Sequence, residues 1–258
     1  MAFPTIADAD TKNGTQTSNS TSWSLTHPTN IAAGDLILSL IAADGSPTVS
    51  ISGFTQIAHV SNSGSAVTID VQALIATGSE SGSFTATLGA SEQGGWRVFR
   101  LPAADWYGSG LPATPSTTHS FPQDGDGLSI VVSTGTTQPN PFNLDPANWA
   151  TEDTLWVVAC AVDTSRTISV YPLADRNTAD VSGGAGGATL GCCTTTSAVS
   201  SMDPTNFTIS TNDDYCTTTI AIRPAAAVTP EQKNWIRWGG IPNMKNVVRP
   251  GSVFGRSW

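Results

Sequence analysis

Apolar residues in this chain come in short runs and strict alternations fenced by glycine, and the run from Asp35 to Asp44 sets the grammar. It reads D-L-I-L-S-L-I-A-A-D between Gly34 and Gly45. It is too short for an ordinary helix, and its continuous apolar character predicts a strand buried on both faces. The grammar returns at Asp153 to Asp163, where Leu155 opens an apolar strand that closes on an aspartate eight residues later, as Leu36 does. Two further landmarks follow in the same order. Phe84-Thr85-Ala86-Thr87 is echoed by Phe207-Thr208-Ile209-Ser210, and each phenylalanine precedes by sixteen residues an arginine closing an alternating strand, Arg100 and Arg223. Three landmarks in one order with nearly equal gaps indicate an internal duplication.

The other strands are predicted by alternation. They are residues 23–27, 48–52, 54–60, 66–76, 83–88 and 96–101 in the first half, and 127–133, 167–171 and 189–196 in the second. Residues 1–20 are polar and turn-rich and read as a lead-in arm with one edge strand. Two loops rich in proline span 102–122 and 138–149, and their aromatic residues Trp106, Tyr107, Phe142 and Trp149 are candidate ligand contacts. A dozen strands punctuated by turns, with no helical pattern before residue 229, predict an all-β fold. The expected form is an antiparallel β-sandwich of jelly-roll type over residues 21–224. Two tandem small sandwiches are the alternative, disfavoured because each half is short for a core of its own.

From residue 225 the chain changes character. Ala225 to Val228 is a linker, and Thr229-Pro230-Glu231-Gln232 carries the marks of a helix start. That helix is expected to stop at Gly239-Gly240. The rest has no period, but it holds large apolar and cationic side chains of the kind interfaces concentrate. Trp235, Arg237, Trp238, Met244, Lys245, Arg249, Phe254, Arg256 and Trp258 are therefore the candidate partner-binding residues of a carboxyl-terminal arm. A tail folded back on its own body is the competing reading.

Charge sharpens this division. The chain carries a net charge of −9, yet the last 34 residues hold five basic residues and one acid, +4, against −13 for the rest. An acidic body argues against a nucleic-acid partner. No apolar run approaches the roughly 18 residues of a membrane-spanning helix, and the first ten residues lack the basic and apolar regions of a signal peptide. A chain made in a cytosol and not exported by the usual route is the expectation.

Chemistry is sparse. Cys160, Cys192, Cys193 and Cys216 lack zinc spacing and are expected to be reduced, with Cys160 and Cys216 the pair considered for a bridge under oxidising conditions. His27, His59 and His119 are scattered without metal spacing. Asp8 to Gly14 is an imperfect calcium loop, and Gln123 to Gly127 reads as a turn before a strand. Asp44 and Asp163 stand at equivalent strand ends, where capping the turns is the simple role and a shared ion or sugar site the bolder one. No cofactor, metal or catalytic constellation is expected.

The pattern G-D-L-I-L-S-L-I-A-A-D-G, then Ser52-Gly53-Phe54-Thr55, then a second half closing on I-A-I-R-P, resembles β-sandwich modules in virion proteins of tailed bacteriophages and related prophage proteins. It covers residues 20 to 224. The family pattern has Pro-x-Gly-Trp-Thr where this chain has Ile51-Ser52-Gly53-Phe54-Thr55. The resemblance implies a fold and no catalytic residues. With the charge split, it leads to the expectation of a non-enzymatic virion structural protein, a capsid decoration or cement protein. Its partners would be other virion proteins held through the arm, in a homo-oligomer such as a trimer. A tail-associated receptor- or glycan-binding module is the alternative, and a polysaccharide-active enzyme the second alternative.

Overall fold

The computed structural model describes residues 3–6, 10–62, 64, 66–117, 123–174 and 180–226. The chain divides into two units, Met1–Ala226 and Ala227–Trp258. The second unit, with the expected helix and every candidate arm residue, lies outside the described residues, as does His119.

The described residues are all-β, with antiparallel sheets and no α-helix. The first half supplies β1 (Thr11–Thr26), β2 (Leu36–Asp44), β3 (Val49–Ile51), β4 (Thr55–Ser61), β5 (Val67–Ile75) and β6 (Ser83–Leu101). These form one sheet in the order β1-β6-β2-β5-β4, with β3 pairing the start of β6. The second half supplies β7 (Gln123–Asp124), β8 (Leu128–Gly135), β9 (Glu152–Val162), β10 (Ile168–Val170), β11 (Val181–Ser182), β12 (Thr189–Val199), β13 (Thr208–Ile209) and β14 (Tyr215–Ile222). Its sheet runs β11-β12-β9-β14-β8-β7, beside a small β10-β13 ribbon.

The duplication seen in sequence is a duplication of topology. In each half the opening apolar strand is central: β2 lies between β6 and β5, and β9 between β14 and β12. Leu36 pairs with Leu101 on one side as Leu155 pairs with Ile222. The short β3 pairs the start of β6 just as β10 pairs β13, the second-half counterpart of that segment. Both central strands are buried on both faces, as their unbroken apolar sequence requires. Leu36, Leu38 and Leu40 with Val157, Ala159 and Ala161 enter one apolar cluster common to the two sheets. Their alternating neighbours face outward. Ile37 and Ile41 pack with Trp23 and Trp96, while Val158 and Cys160 pack with Phe207 and Ile209. At roughly 25 cal/mol per Å² of apolar surface removed from water, the shared cluster is the main favourable contribution to folding.

The edge strand expected in the lead-in is β1, which starts at Thr11 and continues into the strand expected from Trp23; its alternating Ser, Thr, Asn and Gln leave no hydrophobic trace before Trp23. Two expectations are corrected. Residues 83–88 and 96–101 are one strand rather than two, running through Gly94-Gly95. These glycines permit close approach instead of breaking the strand: a Cβ on Gly94 would lie 1.9 Å from the Ala42 carbonyl oxygen, and one on Gly95 2.5 Å from that of Val181. Finally, Cys160 cannot bridge to Cys216. Thr217 is the register partner of Cys160, so Cys216 points to the opposite face of the sheet, into the shared core. All four cysteines are free and buried.

Candidate functional site

The two loops that carry the candidate aromatic residues meet where β14 ends. Arg223 is held there by backbone bonds: its N–H donates to the Gly127 carbonyl at 3.0 Å, and the Tyr107 N–H donates to the Arg223 carbonyl at 3.0 Å. Its guanidinium donates from Nε to Glu152 Oε2 at 2.6 Å and from Nη2 to Glu152 Oε1 at 2.5 Å. The same group lies 4.9 Å from the centre of the Tyr107 ring and 5.7 Å from that of Trp149. Both distances suit cation–π attraction. The hydrogen bonds to Glu152 hold the Arg223 pKa above its ordinary value, against the opposing effect of desolvation.

Of the four candidate aromatics, two reach this cluster and two do not. Tyr107 is 37% exposed, and Trp149 is half-buried. Trp106 is a correction: it is only 1% exposed, belongs to the core shared by the sheets, and donates its indole N–H to the Gly34 carbonyl at 3.0 Å. Phe142 is half-buried and packs with Val131, Leu144 and Trp156. An indole or phenyl ring in a proline-rich loop can serve either side of a sheet end, and the sequence does not say which. Arg223 and Glu152 were invisible as site residues, although Arg223 was legible as a landmark of the duplication. Both oxygens of the Glu152 carboxylate are engaged by its two-pronged pairing with Arg223.

A second cluster lies where the central strands close. Asp44 accepts the N–H of Gly45 at 3.0 Å, and Asp163 accepts that of Thr164 at 2.8 Å. Thr68 Oγ1 donates to the Gly45 carbonyl at 2.8 Å, and Thr189 Oγ1 to that of Thr164 at 3.0 Å. Gly45 has φ +68° and Thr164 +57°, so both halves make the same left-handed turn, once with glycine and once with a β-branched residue. The two aspartate side chains are near enough to affect one another's protonation. Burial raises the pKa of both, and the charge of Asp213 raises Asp163 further. Glu92 is raised too, first by burial and then by Asp44. Arg166 reaches this cluster, its Nε donating to Asp213 Oδ2 at 2.6 Å. The expected turn-capping role of Asp44 and Asp163 is thus realised. Among the described residues no group of three or more His, Cys, Asp or Glu side chains is arranged to hold a metal ion.

The remaining candidates are structural in setting. His27 is buried, tilted against Phe84 at 4.2 Å and stacked on Phe54 at 6.5 Å. His59 Nδ1 lies 2.9 Å from Asp70 Oδ2, in a network missed from sequence that also includes Gln56 and Gln72. Asp10, from the imperfect calcium loop, accepts a bond from Arg100 at 2.7 Å while the residues after it run into β1. Gln123 and Asp124 form a hairpin with β8, and the Asp124 side chain accepts the Ser129 hydroxyl and the Ala147 N–H.

Comparison with protein families, with curated proteins and with solved structures gives no match.

Proposed function

We propose that this chain is a structural protein of a tailed-phage particle, a capsid decoration or cement protein whose acidic body is anchored by its basic carboxyl-terminal arm. The facing sheets are read as a β-sandwich. In this sandwich each half keeps its own sheet, unlike a jelly roll, whose strands interchange between sheets. The observation that carries the proposal is the charge split, +4 over the last 34 residues against −13 over the rest. The sequence resemblance supplies the particle. A body with one core and paired turns is a rigid unit to display, and Trp, Phe, Met and Arg residues in the arm supply the anchors. Binding only to the assembled lattice would stabilise that lattice by mass action.

The test mixes full-length protein, or a version ending at Pro224, with particles lacking this protein, and sediments them. Co-sedimentation of the full-length chain alone is expected. Binding by both versions would move attachment to the body and overturn the anchoring role of the arm, and binding by neither would overturn the decoration reading.

The Tyr107–Arg223–Trp149 cluster favours a second reading, a glycan- or receptor-binding module in which an exposed ring stacks on a sugar. Glycan-array binding that survives removal of the arm and is lost in both Tyr107→Ala and Trp149→Ala would favour it over decoration.

A further inference from the structure

The two large sheets have four edges. On the second sheet two-residue strands cover one end of each long outer strand, β11 pairing Thr189 and Leu190 of β12 and β7 pairing Ser129 and Ile130 of β8. At the β4 edge of the first sheet, Ser116 lies across the backbone: its N–H donates to the Ile57 carbonyl at 2.9 Å, and the His59 N–H donates to the Ser116 carbonyl at 3.0 Å. The β1 edge is different. It runs 16 residues, and from Lys12 to Thr26 its only strand partner among the described residues is β6. It carries no proline and no acid, and its one lysine, Lys12, stands at its start. An irregularity between Gln16 and Ser22 divides it into two regular segments.

We infer that the β1 edge is an interface, pairing antiparallel with the β1 edge of a second copy of this chain. An antiparallel strand edge is its own complement under two-fold rotation, since each N–H and C=O row meets the identical row reversed. Charge selects the same partner. Copies with an acidic body repel over most of their surface, but between Asp10 and Asp35 there is no carboxylate, so two copies meet there at least electrostatic cost. Residues 15 to 22 offer Thr, Gln, Ser and Asn, and cross-strand Thr and Ser pairs hydrogen-bond directly. The inference does not rest on the virion reading: a dimer forms with or without a particle.

Sedimentation velocity of the full-length protein over a range of concentrations, combined with a cysteine scan, tests it. All four native thiols are buried, so a single cysteine at Asn13, Thr15, Thr17, Asn19 or Thr21, all exposed, is the reactive one. The expected result is a concentration-dependent dimer whose disulfide cross-linking peaks at the residue on the two-fold axis and falls away on either side. In the dimer, alternate amides of residues 12–26, those directed away from β6, gain protection from hydrogen exchange. A monomer at every concentration overturns the proposal, as does a dimer with a flat cross-linking profile. Protection of those amides in a monomer overturns it too, because another part of the same chain would then cover the edge.

Discussion

Arg223 and Glu152 form a two-pronged ion pair that repeats, two residues further out, the pair made by Arg100 and Asp35. Arg100 precedes Leu101 by one residue and Arg223 follows Ile222 by one, while Asp35 precedes Leu36 by one and Glu152 precedes Leu155 by three. Leu101 and Ile222 are the register equivalents. Acid and base have therefore shifted together, and a shift of two keeps both on the same face. Each pair joins the start of a central strand to the end of its neighbour. Arg223→Ala would leave a Glu152 side chain that is 9% exposed without its partner. We expect a loss of about 2–3 kcal/mol in urea unfolding, and a smaller loss when Glu152 is also replaced by alanine. Equal losses in single and double variants would deny the coupling.

Stability at the acidic turns should rise as pH falls. The Asp44, Glu92 and Asp163 carboxyls all have pKa values raised in the folded state. A raised carboxyl binds its proton more tightly folded than unfolded. Its stabilising effect is full below the ordinary carboxylate pKa and is lost as pH rises through the folded value. His27 acts in the opposite sense: burial lowers its pKa, so stability falls as pH drops through its ordinary value of 6.5. Asp163→Asn isolates the first effect, since asparagine can still accept the Thr164 N–H. Its melting temperature should exceed that of the parent at pH 8, with the gap closing by about pH 4. A constant gap across that range would rule out the shared titration.

Asp70→Asn should cost about 2–3 kcal/mol although it changes no volume, because a buried donor is set against donors. Gln72 Nε2 donates to Oδ1 at 2.8 Å and Gln56 Nε2 to Oδ2 at 2.6 Å, so an amide NH₂ meets an N–H whichever way it turns. Gln72 cannot turn to compensate, since its Oε1 accepts the Ile51 N–H and its Nε2 also reaches the Val49 carbonyl. Guanidinium unfolding measures the loss, and a neutral result would show that the network rearranges.

The four thiols should be inert until the protein unfolds. Burial pushes Cys192 up to about 11 and Cys216 up to about 12, and raises Cys160 and Cys193 as well. A thiol reagent at pH 8 should label none of them in buffer and all four in denaturant, and reductant should leave the melting temperature unchanged.

Much of the framework was readable because burial on both faces forces an unbroken apolar run. Leu36 to Ala43 and Leu155 to Val162 announce themselves as central strands, and their flanking aspartates announce the turns that Asp44 and Asp163 cap. The candidate site was readable only in part. Tyr107 and Trp149 stood out as aromatics in proline-rich loops, but so did Trp106, which faces the core. Asp70 and Gln72 looked like the polar side of a half-exposed strand, and it is β3 laid over them that turns them into a buried network.

By itself the sequence determined the all-β class, the duplication and its landmarks, and the charge division between body and carboxyl-terminal segment, because each is written in local periodicity and composition. Only the tertiary structure decided that each half keeps to its own sheet. It also decided that β6 runs unbroken through Gly94 and Gly95, that Cys160 and Cys216 face opposite ways, and that Arg223 gathers Tyr107, Trp149 and Glu152 at one sheet end. Those outcomes depend on which strands lie side by side and in what register, and pairing between residues tens of positions apart leaves no periodic mark on either segment.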